Sequence, residues 1–370
     1  MLFFSAFLID SLAFILLLSV VVTAHELGHY FMALSNGIKV DEFALGFGRE
    51  IVGWTSKNGT RWKICILPFG GFCKFFGDEE SSSTIVNRDR IKKLSEEERN
   101  MCLHSKTPWQ RIKVSVAGPM FNYLLAIVCF TLFYNYSGII RFTNVVGGVI
   151  PGSAAEKAGI MAGDVVHRID GGKIKDFSDL QQRILASSGK PMLMEIVRDD
   201  GTISMKITPE IKITKDVFGK STRIPMIGVE SSKIGEPEKV SLFRAFWEAL
   251  KHVYRISTNS AAAIYQMIVG RQGFGEIIGP IKIAQYSGAV IRKGALGFIY
   301  FIALVSSSLG FMNLLPIPML DGGQVILCLL EILRRKPLSE KFENGIAKIG
   351  FFLLISLGIF ILIRDLIGVF

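Results

Sequence analysis

Three residues at the end of an apolar run carry the first chemical signal. In "VVVTAHELGHYFMA", Val20 to Ala33, His25 and His29 stand four apart with Glu26 between them. That spacing places both imidazoles on one face of a helix, and His-Glu-x-x-His on a helix is the pattern that holds Zn²⁺ with the glutamate as general base. Two neutral ring nitrogens and a third protein ligand leave one position for a water whose pKa falls towards about 7. Glu26 would take that water's proton and pass it to a leaving amine. The plainer reading is a polar trio capping a membrane segment at its interface. Continuity with the apolar run favours the metal reading, because ionisable residues inside a membrane segment mark function by default.

A third ligand is needed. His104, His167 and His252 lie in polar or amphipathic surroundings and read as surface residues. Glu50 matches the soluble layout in which a later glutamate closes the site, whereas Asp321 lies inside a distant apolar region. Depth favours Asp321, since its segment and the first one each run about two dozen residues, at 1.5 Å rise per residue, before reaching their polar groups. The stretch "NLLPIPMLDGG", Asn313 to Gly323, cannot be regular helix. Pro316 and Pro318 remove donors and disfavour helix before them, and Gly322 with Gly323 free the backbone. Broken backbone at membrane depth persists where protein or a wet cavity satisfies it, and a cavity holding a metal fits.

The elements that must position these groups follow from composition. Half of the 370 residues are hydrophobic and a fifth are charged, with the apolar residues bunched into runs long enough to cross a hydrocarbon core of about 30 Å. The expected fold is an α-helical integral membrane protein with four transmembrane helices, at 1–36, 114–136, 296–333 (broken) and 346–364. The first run has no basic n-region and no small-residue cleavage site, so it is expected to remain in the mature protein. The net charge of +10 comes from Lys and Arg beside span ends, which fits positive-inside anchoring and argues against nucleic acid as a partner. Basic residues at Arg111, Lys113, Arg334 to Lys336, Lys341 and Lys348 make their loops cytoplasmic. The N-terminus and the long segment between spans two and three then lie outside, and that segment is long enough to require a folded domain. Five cysteines show no zinc spacing and imply no disulfide framework.

Between the spans, residues 37–77 alternate apolar and polar, and Lys57 to Gly59 supply a turn between Glu50–Ser56 and Thr60–Leu67, which predicts a β-hairpin. An exposed edge strand there could pair with an extended substrate peptide, although a purely structural hairpin is the even alternative. Residues 78–113 read as a solvated cytoplasmic linker. Residues 236–295 read as amphipathic interfacial helices, with Val240, Phe243, Phe246, Trp247, Leu250, Val253 and Tyr254 on one stripe.

"HELGH" in the first span together with "NLLPIPMLDGG" in a later one resembles the site-2-protease family of intramembrane zinc metalloproteases, of the bacterial regulator-of-sigma-E type. The likeness extends to "FALGFGREIVGW" and "LPFGGFCKFFGDEE" after span one, "AGPMFNYLLA" in span two and "GPIKIA" before span three. Residues 144–230 resemble an inserted α+β PDZ domain, which takes peptide ends by strand addition or simply limits access to the cavity. Close relatives in some bacteria carry two PDZ domains; this chain has room for one. The resemblance implies His25, His29 and Asp321 as zinc ligands, Glu26 as catalytic base, and Asn313, Pro316 and Pro318 as substrate-binding residues. It further implies a multi-pass protein of the bacterial cytoplasmic (inner) membrane, its β-hairpin membrane-associated, its PDZ domain extracytoplasmic and its active site near the cytoplasmic side. The implied substrates are single-span membrane proteins, an anti-sigma factor or a signal-peptide remnant. A PDZ-bearing membrane adaptor without catalysis is the alternative of another class.

Overall fold

A computed structural model of the protein describes residues 2–78, 91, 93–139, 143–199, 201–215, 221–232, 237–269 and 278–367. Part of the expected linker, residues 79–90 and 92, lies outside them, as do residues 236 and 270–277 of the expected interfacial segment. The chain forms two compact units, Tyr136–Val240 and the remainder.

The larger unit opens with α1 (Leu2–Ser35). A hairpin of β1 (Val40–Thr55) and β2 (Arg61–Phe75) follows, longer at both ends than the sequence pattern predicts. The turn at Lys57–Gly59 is present, with Gly59 at φ 82°, where an L-residue would be strained. Each strand bends on itself. Phe43 faces Trp62 on one side and Cys73 on the other, while Trp54 also pairs with Trp62. The first half of β1 is therefore enclosed, and the segment at Gly71–Phe75 becomes an outer edge. Apolar side chains Ile51, Val52, Trp54, Ile66 and Leu67 are exposed on this hairpin. An apolar face of this kind suits lipid far better than water.

A short helix, α2 (Glu96–Asn100), is closed by a capping box in which Ser95 and Glu98 exchange hydrogen bonds. The expected solvated linker is solvated only in part: after α2, Cys102 and Leu103 are buried, and Lys39 N–H donates to Met101 O at 3.1 Å. This part packs on the base of the hairpin because its few apolar residues have a core to join. Helix α3 (Pro108–Ser137) then begins with Pro108 and carries Pro119 inside it.

The inserted unit comprises β3 (Val146–Val149), α4 (Ala154–Lys157), β4 (Val165–Ile169), β5 (Gly172–Lys173), α5 (Phe177–Ala186), β6 (Met192–Arg198), β7 (Gly201–Ile207), β8 (Glu210–Lys215), β9 (Ser221–Met226) and β10 (Val229–Ser231). Its largest sheet has the order β5-β4-β6-β7, while β3 pairs with β10 and β8 with β9. Alternation drives the core: Met192, Met194 and Ile196 of β6 point inward at period two, against Leu180 and Ile184 one helical turn apart on α5. Arg198 grips buried Asp164 through two hydrogen bonds of 2.7 and 2.8 Å. That guanidinium holds the Asp164 carboxyl below the usual carboxylate range.

Returning to the larger unit, α6 (Leu242–Ile268) and α7 (Pro280–Lys293) are both amphipathic. The expected stripe on α6 is split. Ala245, Ala249 and Val253 form its buried face, whereas Phe243, Trp247 and Tyr254 are exposed. Small residues let the helix approach its neighbours, and the aromatic side turns outward as interfacial aromatics do. Then come α8 (Ala295–Asn313), α9 (Asp321–Arg334) and α10 (Glu340–Ile367). Among the described residues four helices, α1, α3, α8 and α10, are long and apolar enough to cross a membrane. A buried ion pair of Arg111 on α3 with Glu331 on α9 fixes the second half of the broken segment, and Glu331 also accepts from Leu338 N–H at 3.0 Å.

Candidate active site

Helix α8 stops at Asn313, and α9 restarts at Asp321. Between them Met319 adopts φ 75°, a conformation that costs a non-glycine residue about 1–2 kcal/mol. The two glycines after Asp321 do something other than loosen the chain. Both are helical and buried, and a Cβ on Gly322 would lie 2.5 Å from the Leu314 carbonyl carbon, one on Gly323 2.9 Å from that of Ile317. They allow the first turn of α9 to seat against the broken segment, which aims the Asp321 carboxylate.

That carboxylate meets the histidines of α1. His25 Nε2 lies 3.2 Å from Asp321 Oδ2, His29 Nε2 lies 3.4 Å from Asp321 Oδ1, and the two Nε2 atoms are 3.1 Å apart. Among the described residues this is the group of three whose ligand atoms converge as metal donors do. A tetrahedral zinc ion with bonds of about 2.0–2.1 Å needs its ligand atoms about 3.3 Å apart. The donor set, two imidazoles and one carboxylate, is also a common one for catalytic zinc. The residues fit the ion. The side chains are mostly enclosed, 12 % exposed for each histidine and 18 % for Asp321.

Helix α3 supplies the outer partners. His29 Nδ1 contacts Val114 O at 2.8 Å, which makes Nδ1 the protonated nitrogen and leaves Nε2 free for a metal. Close approach makes this contact possible: a Cβ on Gly28 would fall 2.7 Å from the Ala117 carbonyl carbon, and one on Gly118 would fall 2.9 Å from His25 Cε1.

A cavity of about 330 Å³ opens on the cluster. Glu26 lines it and accepts a hydrogen bond from the Cys73 backbone N–H, so the outer edge of the hairpin touches the expected base. Gly71, Phe72 and Phe47 form the same wall, and Asn313 and Pro318 stand on it as well. Pro316 does not line the cavity and is exposed. Glu50 is committed elsewhere, 2.5 Å from Arg61 on the hairpin. Two of the histidines read as surface residues are not so. His104 lines the cavity and faces Asp78 at 3.6 Å. His252 stacks on Phe130 at 4.4 Å and bonds Tyr134, because an amphipathic helix buried one flank of its polar face among aromatic rings.

Sequence reasoning missed Gly28, Gly118, the Val114 carbonyl and the Cys73 amide. Gly28 in HELGH, Cys73 in LPFGGFCKFFGDEE and Gly118 in AGPMFNYLLA all stood in segments already singled out, but their part in the site comes from contacts between distant segments.

Such a centre, two imidazoles and a carboxylate around one cation position with a glutamate beside it, defines a metallohydrolase. Comparison with known proteins agrees. Residues 13–357 match peptidase family M50. A relative from Rickettsia conorii is 36 % identical over 98 % of this chain and all of its own, and one from Mesorhizobium japonicum is 33 % identical over 96 % of this chain and 98 % of its own. Both bear zinc-metalloprotease names. A metalloprotease of Caulobacter vibrioides is 32 % identical over 97 % of this chain and 96 % of its own. The chain belongs to peptidase family M50, and zinc is its cofactor.

Proposed function

We propose that the protein is an intramembrane zinc endopeptidase that cuts single-span membrane proteins in or beside their transmembrane segment. The observation that carries this reading is the convergence of His25, His29 and Asp321 in a cavity among helices apolar enough to span a bilayer. His25, His29 and Asp321 would hold the metal. Bound zinc supplies a Lewis acid for the scissile carbonyl and acidifies a water in its open position. Glu26 stands on the cavity wall to take a proton and return it to the leaving nitrogen, and the Cys73 N–H keeps its carboxylate turned towards the cavity.

A helical substrate hides its amides, so cleavage requires local unwinding. The hairpin edge at Gly71 and Phe72 would offer strand pairing to the extended stretch, and Asn313 and Pro318, which line the same cavity, would hold its backbone. The exposed apolar hairpin face and the outward aromatics of α6 support a membrane location, which we take to be the cytoplasmic membrane of a bacterium, with the inserted domain outside as the Lys and Arg residues beside the span ends suggest. We read that domain as a PDZ module, from its antiparallel strands and capping helix α5, which binds a peptide end or screens substrates by size. Release of a cytoplasmic domain such as an anti-sigma factor's, or clearance of signal-peptide remnants, are the two substrate classes this arrangement serves.

Glu26→Gln tests the proposal. The variant is expected to keep its zinc and to lose cleavage of tagged single-span proteins by about 10²-fold or more, with the wild-type cut mapping within or beside the transmembrane segment. Undiminished turnover in Glu26→Gln, or cuts confined to soluble regions, would refute it.

A further inference from the structure

The mechanism above leaves one polar side chain of span α3 unused. Asn122 is wholly buried in a helix otherwise suited to lipid, a costly place for a carboxamide without a task. Its carboxamide atom assigned as Nδ2 lies 3.2 Å from His25 Nδ1. On its other side stands Ser306 of α8, whose hydroxyl donates to the Asn122 backbone carbonyl at 2.8 Å and lies 3.5 Å from the far amide atom.

The donors and acceptors decide how this chain is wired. His25 Nε2 points at His29 and Asp321, so to hold a cation it must be unprotonated and Nδ1 must carry the hydrogen. Nδ1–H then needs an acceptor, which an amide NH₂ cannot be. The oxygen and nitrogen of a carboxamide exchange places by a half-turn. With Oδ1 towards His25, Nδ2 faces the Ser306 oxygen, whose own hydrogen is already given to the backbone carbonyl and whose lone pairs are free to accept. Every group is satisfied in that orientation. In the reverse one, Nδ2 donates to Nδ1, the hydrogen of His25 moves to Nε2, and the ring cannot ligate.

We propose that Asn122 is a positioning residue for the metal centre: its carboxamide oxygen, backed by Ser306, selects the His25 tautomer that binds zinc. His29 needs no such device, because its partner, the Val114 carbonyl, can only accept. One helix thus serves both rings, by backbone for one and by side chain for the other.

The test is zinc affinity of the full chain in detergent, measured by competition with a chelator, for Asn122→Leu, Asn122→Asp and Ser306→Ala. Asn122→Leu keeps the volume but removes the acceptor and is expected to weaken zinc by about 10–100-fold, the usual loss when a ligand's outer partner is removed. Asn122→Asp keeps an acceptor facing Nδ1–H and should hold zinc within a few-fold of wild type. Ser306→Ala should cost a few-fold. Nitrogen-15 spectra of labelled histidine supply a readout that packing alone would not move, with the hydrogen of His25 on Nδ1 in wild type and Asn122→Asp and shifted towards Nε2 in metal-free Asn122→Leu. Wild-type affinity in Asn122→Leu overturns the proposal. So does equal loss in Asn122→Leu and Asn122→Asp with both folded. If Asn122→Leu does not fold, Asn122→Asp and Ser306→Ala decide by the same measures. The inference rests on the zinc site, and Asp321→Asn separates the two: retained zinc in that variant removes the site itself, whereas retained zinc in Asn122→Leu removes only the role of Asn122.

Discussion

Gly28→Ala asks whether the geometry of the two imidazoles depends on how near α3 comes to α1. The added Cβ would sit 2.7 Å from the Ala117 carbonyl carbon and 2.9 Å from Gly118 Cα, closer still to the Ala117 oxygen. Carbon atoms rest about 3.5–4.0 Å apart, so the helices must part by roughly 0.7 Å or more at this level. Backbone atoms are what the methyl meets, and no side chain can swing aside to absorb it. The contact between His29 Nδ1 and Val114 O, 2.8 Å in the native protein, would lengthen to about 3.5 Å, beyond useful hydrogen bonding. On an exposed helix the same substitution would stabilise by about 0.5–1 kcal/mol. Overpacking costs about 1–3 kcal/mol, so the net expectation is a loss of about 1–2 kcal/mol, with zinc affinity reduced about 10-fold or more. Thermal melting and chelator competition on the purified full chain measure both. A variant that melts at or above the wild-type temperature and binds zinc equally well would refute the reasoning.

Two further expectations follow from the same structure. Asp321→Asn should lose the metal, whereas Glu50→Gln, which breaks only an exposed pair with Arg61, should retain about one zinc per chain by elemental analysis; the opposite pattern would exchange the two carboxylates. The Asp164–Arg198 pair holds the Asp164 carboxyl below its ordinary value, so its stabilisation is complete above the unfolded pKa of about 3.9 and is lost as pH falls through the lower folded value. The stability gap between wild type and Asp164→Asn, followed by hydrogen exchange in β4 and β6, should therefore narrow below about pH 4, and a gap constant with pH would contradict it.

Much of this centre was readable in the primary structure because its parts obey one-dimensional rules. The four-residue spacing of His25 and His29 fixes a shared helix face whatever surrounds it, and two prolines within three residues forbid regular helix before Asp321. Depth, counted as residues along each span, brought Asp321 rather than Glu50 to the histidines. What could not be read depends on contacts between distant segments. The glycines at 322 and 323 look like sources of freedom in the sequence, yet they serve close packing. Phe243, Trp247 and Tyr254 share a stripe with Val253 in the sequence, yet Ala245, Ala249 and Val253 face protein while the aromatics face outward, since periodicity identifies a face without saying whether protein or lipid covers it. The doubling of each hairpin strand left no trace beyond scattered glycines such as Gly46 and Gly48, both at positive φ. His104 and His252 were misjudged because a polar neighbourhood along the chain says little about neighbours in space.

The two histidines and Asp321 are separated by about 290 residues of chain, with a whole inserted unit in between. A ribosome must therefore make nearly everything before the third donor emerges. A nascent or prematurely ended chain carries imidazoles with nothing to complete them, and no three-donor centre can form until α9 has been laid against α3.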